Sequence, residues 1–187
     1  AIDEAGAATA LGRTLASLPL DPPLGRALLA SSAILGASKA ARFVALLSED
    51  VRAPGADLGA LERRLGRGGA SEAGVGKAQA ARVKETQARL ERLAQHLPDS
   101  ASEGALTSVV TERQTSSRTR EDELALTCAL AYPEWIARRR PGSAAYILAG
   151  GVGAELPQGS PLEGQEWLAV ASIDRVPASR HARILAA

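Results

Sequence analysis

The stretch LGRTLASLPLDPPLGRALL, Leu11 to Leu29, predicts two helices that meet at a sharp corner. Leu11, Leu15 and Leu18 are spaced four and three residues apart, which places them on one face of a helix. Pro19 has no backbone donor, and a proline disfavours helical backbone in the residue before it. We therefore expect the first helix to end near Leu18.

The second helix is expected to begin after Asp21, whose side chain can accept a hydrogen bond from a free N–H of the first turn. Pro22 or Pro23 suits that turn, because the missing donor costs nothing there. Its inner face is predicted to hold Leu24, Leu28, Ser31 and Leu35, flanked by Ala27 and Ile34.

Further helices are predicted from apolar stripes and capping residues. A short helix should cover 58–65, the clearest one 79–97, and another the residues up to 131. Phe43 and Cys128 fall on inner faces, so we interpret both as core residues. The predicted caps are Thr9, Asp21, Gly36, Ser38, Asp57 and Thr119.

After Pro133 the pattern changes from helical to alternating, which predicts β-strands. Trp135, Ala137 and Arg139 should face one way, and the residues between them the other way. Pro141 begins a predicted turn. Returning strands are predicted at 145–149, 166–173 and 182–186, with a bulge or tight turn at 150–153.

The best candidate site is the cluster Arg138, Arg139 and Arg140 beside Tyr146. Guanidinium groups can bind phosphates through paired N–H donors, and an aromatic ring can stack on a base. Alternation sends Arg139 to the opposite face from its two neighbours, so all three cannot serve one groove. An edge strand protected by charged side chains explains the cluster equally well.

Helix 79–97 presents a second set of basic residues, among them Arg82 and Arg89, interleaved with Glu85 and Glu91. One interpretation is a solvated face with local charge pairs, which we favour. The other is a basic wall beside a nucleic-acid channel, with Arg82 and Arg89 as binding residues.

Four pieces of the chain resemble, in order and spacing, the helicase-associated region of DEAH/RHA helicases, especially the bacterial HrpB type. The first piece begins with Ile2–Arg13, which resembles an acidic-glycine hairpin with a Thr-x-Leu-Gly step. It continues through Leu18–Pro22, which resembles a Leu-Pro-Leu-Asp-Pro corner. The second piece is Leu46–Glu49, which is similar to a Leu-Leu-Ser-Glu step. The third is Ala129–Arg140, which is similar to a Leu-Ala-Tyr-Pro-Asp-Arg-Ile-Ala signature, and the fourth is Trp167–Ala171, which is similar to a Trp-Leu-Val-Val-Ala strand.

The resemblance implies an α+β fold, with a helical bundle before a small antiparallel OB-like β-domain. Residues 1–20 would be a winged-helix remnant, 21–132 a helicase-associated bundle with ratchet-like helices, and 133–187 an OB-like domain that could be truncated. The chain would lie C-terminal to an ATPase core that binds ATP and Mg²⁺. Its implied partners are that core and single-stranded RNA or DNA.

Composition agrees with part of a larger protein. The 187 residues contain no Met and begin with Ala, so we expect a fragment. A net charge of +1 gives no overall basic footprint, and nucleic-acid binding would therefore need local clusters. The lone Cys128 excludes an internal disulfide and favours a reducing, cytoplasmic setting. The sequence has no run of about 18 apolar residues, so we do not expect a membrane to be a partner of this chain.

Catalytic patterns are absent from the sequence. Gly76-Lys77 lacks both the first glycine and the hydroxyl of a phosphate-binding P-loop, so we interpret 66–78 as a flexible Gly-rich linker. His96 and His181 are too far apart for metal-ligand spacing. We therefore expect no catalytic residue and no cofactor in this chain. The alternative to a nucleic-acid role is a structural or protein-interaction domain.

Overall fold

The structure, a computed structural model, describes residues 2–49, 52–67, 76–96, 118–175 and 181–187. Helices come first and strands follow, so the described chain is mixed α+β, as predicted. The predicted helix end at Leu97, the polar segment up to 117 and the centre of the Gly-rich linker lie outside these ranges. The helices are α1 (Ala10–Ser17), α2 (Pro22–Leu35), α3 (Ala37–Ser48), α4 (Leu58–Gly66), α5 (Lys77–Ala94) and α6 (Arg120–Ala131).

The corner between α1 and α2 forms where it was predicted. Helix α1 begins after Thr9, whose hydroxyl accepts from the Gly12 N–H at 3.0 Å, and ends at Ser17, after which Leu18 is extended. Asp21 occupies the N-cap position of α2, but its side chain makes no capping hydrogen bond, so that detail of the prediction is wrong. The prolines in the first turn start α2 without it.

Gly36 joins α2 directly to α3 with a φ of 87°, a value that favours glycine. Its N–H donates to the Ser32 carbonyl at the end of α2, and its own carbonyl accepts from the Ala40 N–H at the start of α3. Helix α3 therefore begins at Ala37, and the predicted cap Ser38 lies inside the helix. Besides Thr9, two more predicted caps are present: Asp57 accepts from the Ala60 N–H, and Thr119 forms a capping box with Asp122.

The helical core lies around α3, which packs against α2, α5 and α6. Phe43 is 1% exposed, which confirms its predicted core position. Burial of each such large apolar side chain contributes about 1.5–3 kcal/mol. Two buried hydroxyls link α2 to α6: Ser31 Oγ donates to Thr127 Oγ1 at 3.2 Å, and Thr127 Oγ1 donates to the Glu123 carbonyl at 2.9 Å.

One charged side chain, Glu62 on α4, lies among these helices with 4% exposure. Its Oε1 accepts from Arg120 Nη2 at 2.8 Å and also contacts the guanidinium Nε of Arg42. A buried carboxylate needs such partners, because removal from water is costly for an unpaired charge. Glu62 therefore joins α3, α4 and α6.

The strands form one six-stranded sheet, in the order β4-β1-β2-β3-β6-β5 within the described chain. The pair β3–β6 is parallel and the other pairs are antiparallel, so the predicted antiparallel sheet is corrected to a mixed one. The strands are β1 (Ile136–Arg139), β2 (Tyr146–Leu148), β3 (Gly153–Glu155), β4 (Trp167–Ala169), β5 (Ser172–Asp174) and β6 (Ala182–Ala186).

The predicted strand 166–173 is divided into β4 and β5. Val170 still donates to the Trp135 carbonyl, on the β1 side, whereas Ala171 donates to the Ala186 carbonyl of β6. The chain thus changes partners between these two residues, and the two outermost strands of the sheet are consecutive in sequence. The sheet is curled and compatible with an OB-like domain.

Two local predictions in this region need correction. Gly153, predicted as the last residue of a bulge or tight turn, is the first residue of β3. This strand has no β-branched or aromatic residue, so pairing with β2 and β6, and not local preference, determines it. Trp135, predicted in a strand, lies in the 3₁₀ turn Pro133–Trp135, and its ring stacks on Tyr132 with centroids 4.9 Å apart.

The helical and β parts contact each other through α6 and through the end of β6. Cys128, 1% exposed as predicted for a core residue, donates its thiol proton to the Ala169 carbonyl at 3.3 Å. The Leu58 N–H donates to the Ala187 carbonyl at 3.0 Å, and the Ala187 N–H donates to Ala56 at 2.9 Å. The Cys128 bond places β4 next to α6, and the other two join the end of β6 to the start of α4.

Candidate nucleic-acid interface

Strand β1, which holds the arginine cluster, lies in the interior of the sheet between β4 and β2. An edge strand would leave one row of backbone groups unpaired, but β1 is hydrogen-bonded on both sides. The interpretation of the arginines as protection for an edge strand is therefore wrong. Strand β4, from much later in the chain, covers the side that the β1–β2 hairpin leaves open.

Arg138 stands directly opposite Ile147 of β2 on one side and Trp167 of β4 on the other. Its neighbour Ala137 is fully buried, which confirms the predicted alternation. Ile147 is 38% exposed and Trp167 is 55% exposed, and the Arg138 side chain is 61% exposed. We call Ile147, Arg138 and Trp167 the outer row.

Arg138 has two contacts in this row. Its guanidinium carbon lies 5.1 Å from the centroid of the Trp167 ring, and Nη2 lies 3.3 Å from Glu166 Oε1. An exposed cation–π contact stabilises by about 0.5–1 kcal/mol, and an exposed ion pair by less than about 1 kcal/mol. Because both are weak, an incoming phosphate can replace the carboxylate at Arg138.

Arg139 and Tyr146 lie on the other side of the strands and hold the loop before β4. Arg139 Nη1 donates to the Gly164 carbonyl at 3.2 Å, and the Tyr146 hydroxyl donates to the Gln165 carbonyl at 2.9 Å. Both side chains line a cavity of about 340 Å³ that also includes Glu163.

The Tyr146 ring is enclosed in the core of the sheet, with 1% of the residue exposed. Desolvation by burial raises the pKa of its phenol, and the carboxylate of Glu163 adds to this effect, whereas Arg139 opposes it. Tyr146 therefore does not offer the exposed stacking surface for which the sequence suggested it.

Arg140 follows β1 and is exposed. Its backbone N–H donates to the Ala145 carbonyl at 2.9 Å, which closes the turn to β2 around Gly142, where φ is 67°. Residues two apart in extended chain share a face, so Arg140 belongs to the same side as Arg138. The structure thus separates Arg139 from the other two arginines of the cluster.

Arg82 and Arg89 lie on α5, which packs on α3 in the helical part. Both are exposed, and Arg82 Nε lies 3.4 Å from Glu49 Oε2. The same carboxylate accepts from Thr86 Oγ1 at 3.3 Å. Arg82 is therefore paired with a carboxylate at the end of α3, whereas the sequence suggested charge pairs within α5 itself.

Sequence analysis missed Trp167 and Glu166 as neighbours of the arginine cluster. Alternation around the buried Leu168 could have predicted that Trp167 faces outward. Nothing local could have shown that Trp167 pairs across from Arg138, because that register joins strands far apart in sequence.

A metal site, a reactive thiol and a membrane-spanning helix are three other features that the described ranges could contain. No group of three or more His, Cys, Asp or Glu side chains there is arranged to hold a metal ion. Burial raises the pKa of the Cys128 thiol to about 12, which disfavours the nucleophilic thiolate. Among the described helices, none has the length and apolar character needed to cross a membrane.

The chain is similar to known proteins at the level of three-dimensional structure. No family model matches the chain, and no curated protein matches it. Two crystal structures of HrpB from E. coli do match over 95% of the chain, one described as a DExH-box NTPase and one as a DEAH/RHA helicase. The TM-scores are 0.63 and 0.60, with 27% and 25% sequence identity.

The chain spans only 18% of the length of those HrpB chains. The resemblance to HrpB-type helicases that the sequence motifs suggested is thus confirmed at the level of structure. The similarity concerns a part of the helicase, and the activity of a whole helicase does not follow from it.

Proposed function

We propose, on the premise of this similarity to HrpB, that the chain is an accessory region of an ATP-dependent RNA helicase. In this proposal it guides single-stranded nucleic acid beside the motor core. ATP and Mg²⁺ would be bound by that core, which would also be the partner of this region in the parent protein. We place that protein in the cytoplasm, since a lone cysteine is typical of a reducing compartment.

The observation that supports nucleic-acid binding is the outer row, continued by Arg140. It places the Arg138 guanidinium next to an exposed aromatic ring on a continuous sheet surface. Cationic side chains that follow a phosphate backbone and aromatic rings that stack on bases are the two parts of single-strand binding surfaces. Because the net charge of the chain is only +1, attraction of a nucleic acid would depend on such a local cluster of arginines.

The test is fluorescence anisotropy of a labelled single-stranded RNA with the 187-residue chain, at low and at physiological salt. The variant Arg138→Ala/Arg140→Ala should bind more weakly and lose part of the salt dependence. Each phosphate contact contributes a slope of about 0.7 in log affinity against log salt, so two lost contacts should lower the slope by about 1.4.

Arg183→Ala is the matched control. Arg183 is also an exposed arginine on this sheet, but it stands opposite the acidic residues Glu155 and Asp174 on the two neighbouring strands. Its replacement should change binding little. An equal loss in both variants would indicate a general charge effect and contradict an interface at the outer row.

A structural or protein-interaction domain without nucleic-acid binding is the second candidate. The observation in its favour is that Arg82 and Arg138 both already lie beside carboxylates, Glu49 and Glu166. Absence of RNA binding at low salt would support this candidate. It would also contradict an autonomous nucleic-acid site in the chain.

A further inference from the structure

We propose that the indole ring of Trp167 is a stacking platform for an unpaired base of a bound single strand. This inference rests on the proposed function and adds to it a residue and a mode of recognition. Phosphates would contact Arg138 and Arg140, and one base would lie against the open face of the ring. The preferred ligand is then single-stranded, because bases in a duplex are already stacked on one another.

The exposure of Trp167 is the first observation. Tryptophan has a large apolar surface and is highly buried on average. Trp167 is nevertheless 55% exposed, in a strand whose next residue, Leu168, is buried. Its backbone is held by pairing with β1, so the ring stands on a rigid element. Such a ring can bind a flat ligand without ordering a loop.

The contact with Arg138 is the second observation. The guanidinium carbon lies 5.1 Å from the ring centroid on one side, and more than half of the residue stays accessible. A base can therefore stack on the remaining surface while the arginine stays within reach of the adjoining phosphate. Ile147, on the other side of Arg138, extends the apolar part of the same row.

The charges around the Trp167 ring indicate on which side of the ring the phosphate backbone of the bound nucleic acid should lie. Trp167 also lines a cleft of about 250 Å³ between β4 and α6, where acidic side chains are found beside apolar ones. Carboxylates repel phosphates, so the backbone should follow the arginine side, where a phosphate replaces Glu166 at Arg138, and the base should point toward the cleft. The acidic residues that line the cleft are Asp57, Glu121 and Asp122.

The experiment compares two labelled probes, a single-stranded RNA of mixed sequence and a strand of the same length whose central nucleotides are abasic. Trp167→Ala should weaken binding of the first probe roughly five- to 150-fold, the range of one lost base–aromatic stack. Trp167→Phe should lose less, because a ring remains. Neither variant should change binding of the abasic strand, which has phosphates but no bases to stack.

Tryptophan fluorescence can report on the Trp167 ring alone. In a Trp135→Phe background, Trp167 is the sole tryptophan, since the chain contains two. Its fluorescence should be quenched by the mixed-sequence RNA and not by the abasic strand. The urea midpoint of each variant shows whether the fold is intact, and Trp167→Phe is the variant to use if Trp167→Ala unfolds.

The outcomes separate this inference from the proposed function. If RNA binds with salt dependence but Trp167→Ala and Trp167→Phe bind both probes like the parent chain, stacking is refuted and the arginine surface stands. If Trp167→Ala weakens both probes equally, the ring acts through structure, and stacking is again refuted. If neither probe binds the parent chain at low salt, the proposed function fails, and this inference fails with it.

Discussion

Alkaline pH should destabilise this protein through Cys128. The thiol lies between α6 and β4, is 1% exposed, and donates to the Ala169 carbonyl. Burial raises its pKa from 9.0 to about 12. Since the folded-state value is the higher one, the stabilisation is fully present below pH 9 and is lost as the pH rises toward 12.

The size of the effect follows from these two values. At pH 11 the thiol of the unfolded chain is ionised, whereas that of the folded chain is still mostly protonated. The free energy of unfolding should therefore fall by about 2–3 kcal/mol between pH 8 and pH 11 through this group alone. This is a large part of the stability of an ordinary domain, about 5–15 kcal/mol.

Urea unfolding of the parent chain and of Cys128→Ala, at pH 8 and pH 11, measures this contribution. The variant removes a buried group and should be less stable at pH 8, but it should lose less stability on going to pH 11. Burial also raises the pKa of Tyr132 and of Tyr146, and the Tyr146 contribution is common to both proteins. The Cys128 charge further raises the pKa of Tyr132, so the difference between the two proteins measures Cys128 together with its effect on Tyr132. Equal losses in the two proteins would refute the assignment to Cys128.

Three further substitutions test contacts in the fold. Tyr146→Phe removes the hydrogen bond to Gln165 and should lower the free energy of unfolding by about 1 kcal/mol in urea titrations, with RNA affinity unchanged. Glu62→Gln weakens the contacts of a buried carboxylate with two arginines. Because these arginines are partly exposed, we expect a loss of about 1–2 kcal/mol, and a more stable variant would contradict a stabilising role. Thr119→Ala removes the capping box with Asp122 and should cost about 1 kcal/mol at pH 7. The hydrogen bonds from Thr119 lower the pKa of Asp122, so this difference should shrink as the pH falls through that pKa, measurable by thermal melts from pH 7 to pH 2.

Local patterns in the sequence predicted the helices well. The corner after Ser17, the caps at Asp57 and Thr119, and the inner positions of Phe43 and Cys128 all follow from interactions between residues close in sequence. Capping and helical spacing depend on neighbours within a turn or two, so they are visible without the fold.

The sheet was predicted less completely. Strand β3 has no local preference for extended chain, and the division between β4 and β5 depends on a change of partner at Ala171. Alternation correctly placed Ala137 and Arg138 on opposite faces, but it could not identify the residue opposite Arg138. Register between strands distant in sequence is a property of the folded chain.

The candidate site shows the same division. The sequence by itself determined that three arginines follow a helix, that alternation divides them between two faces, and that the motifs resemble HrpB-type helicases. Only the tertiary structure decided that β1 is an interior strand, that Tyr146 is enclosed, and that Trp167 stands beside Arg138. The physical reason is that periodicity depends on neighbours along the chain, whereas exposure and pairing depend on segments that folding brings together.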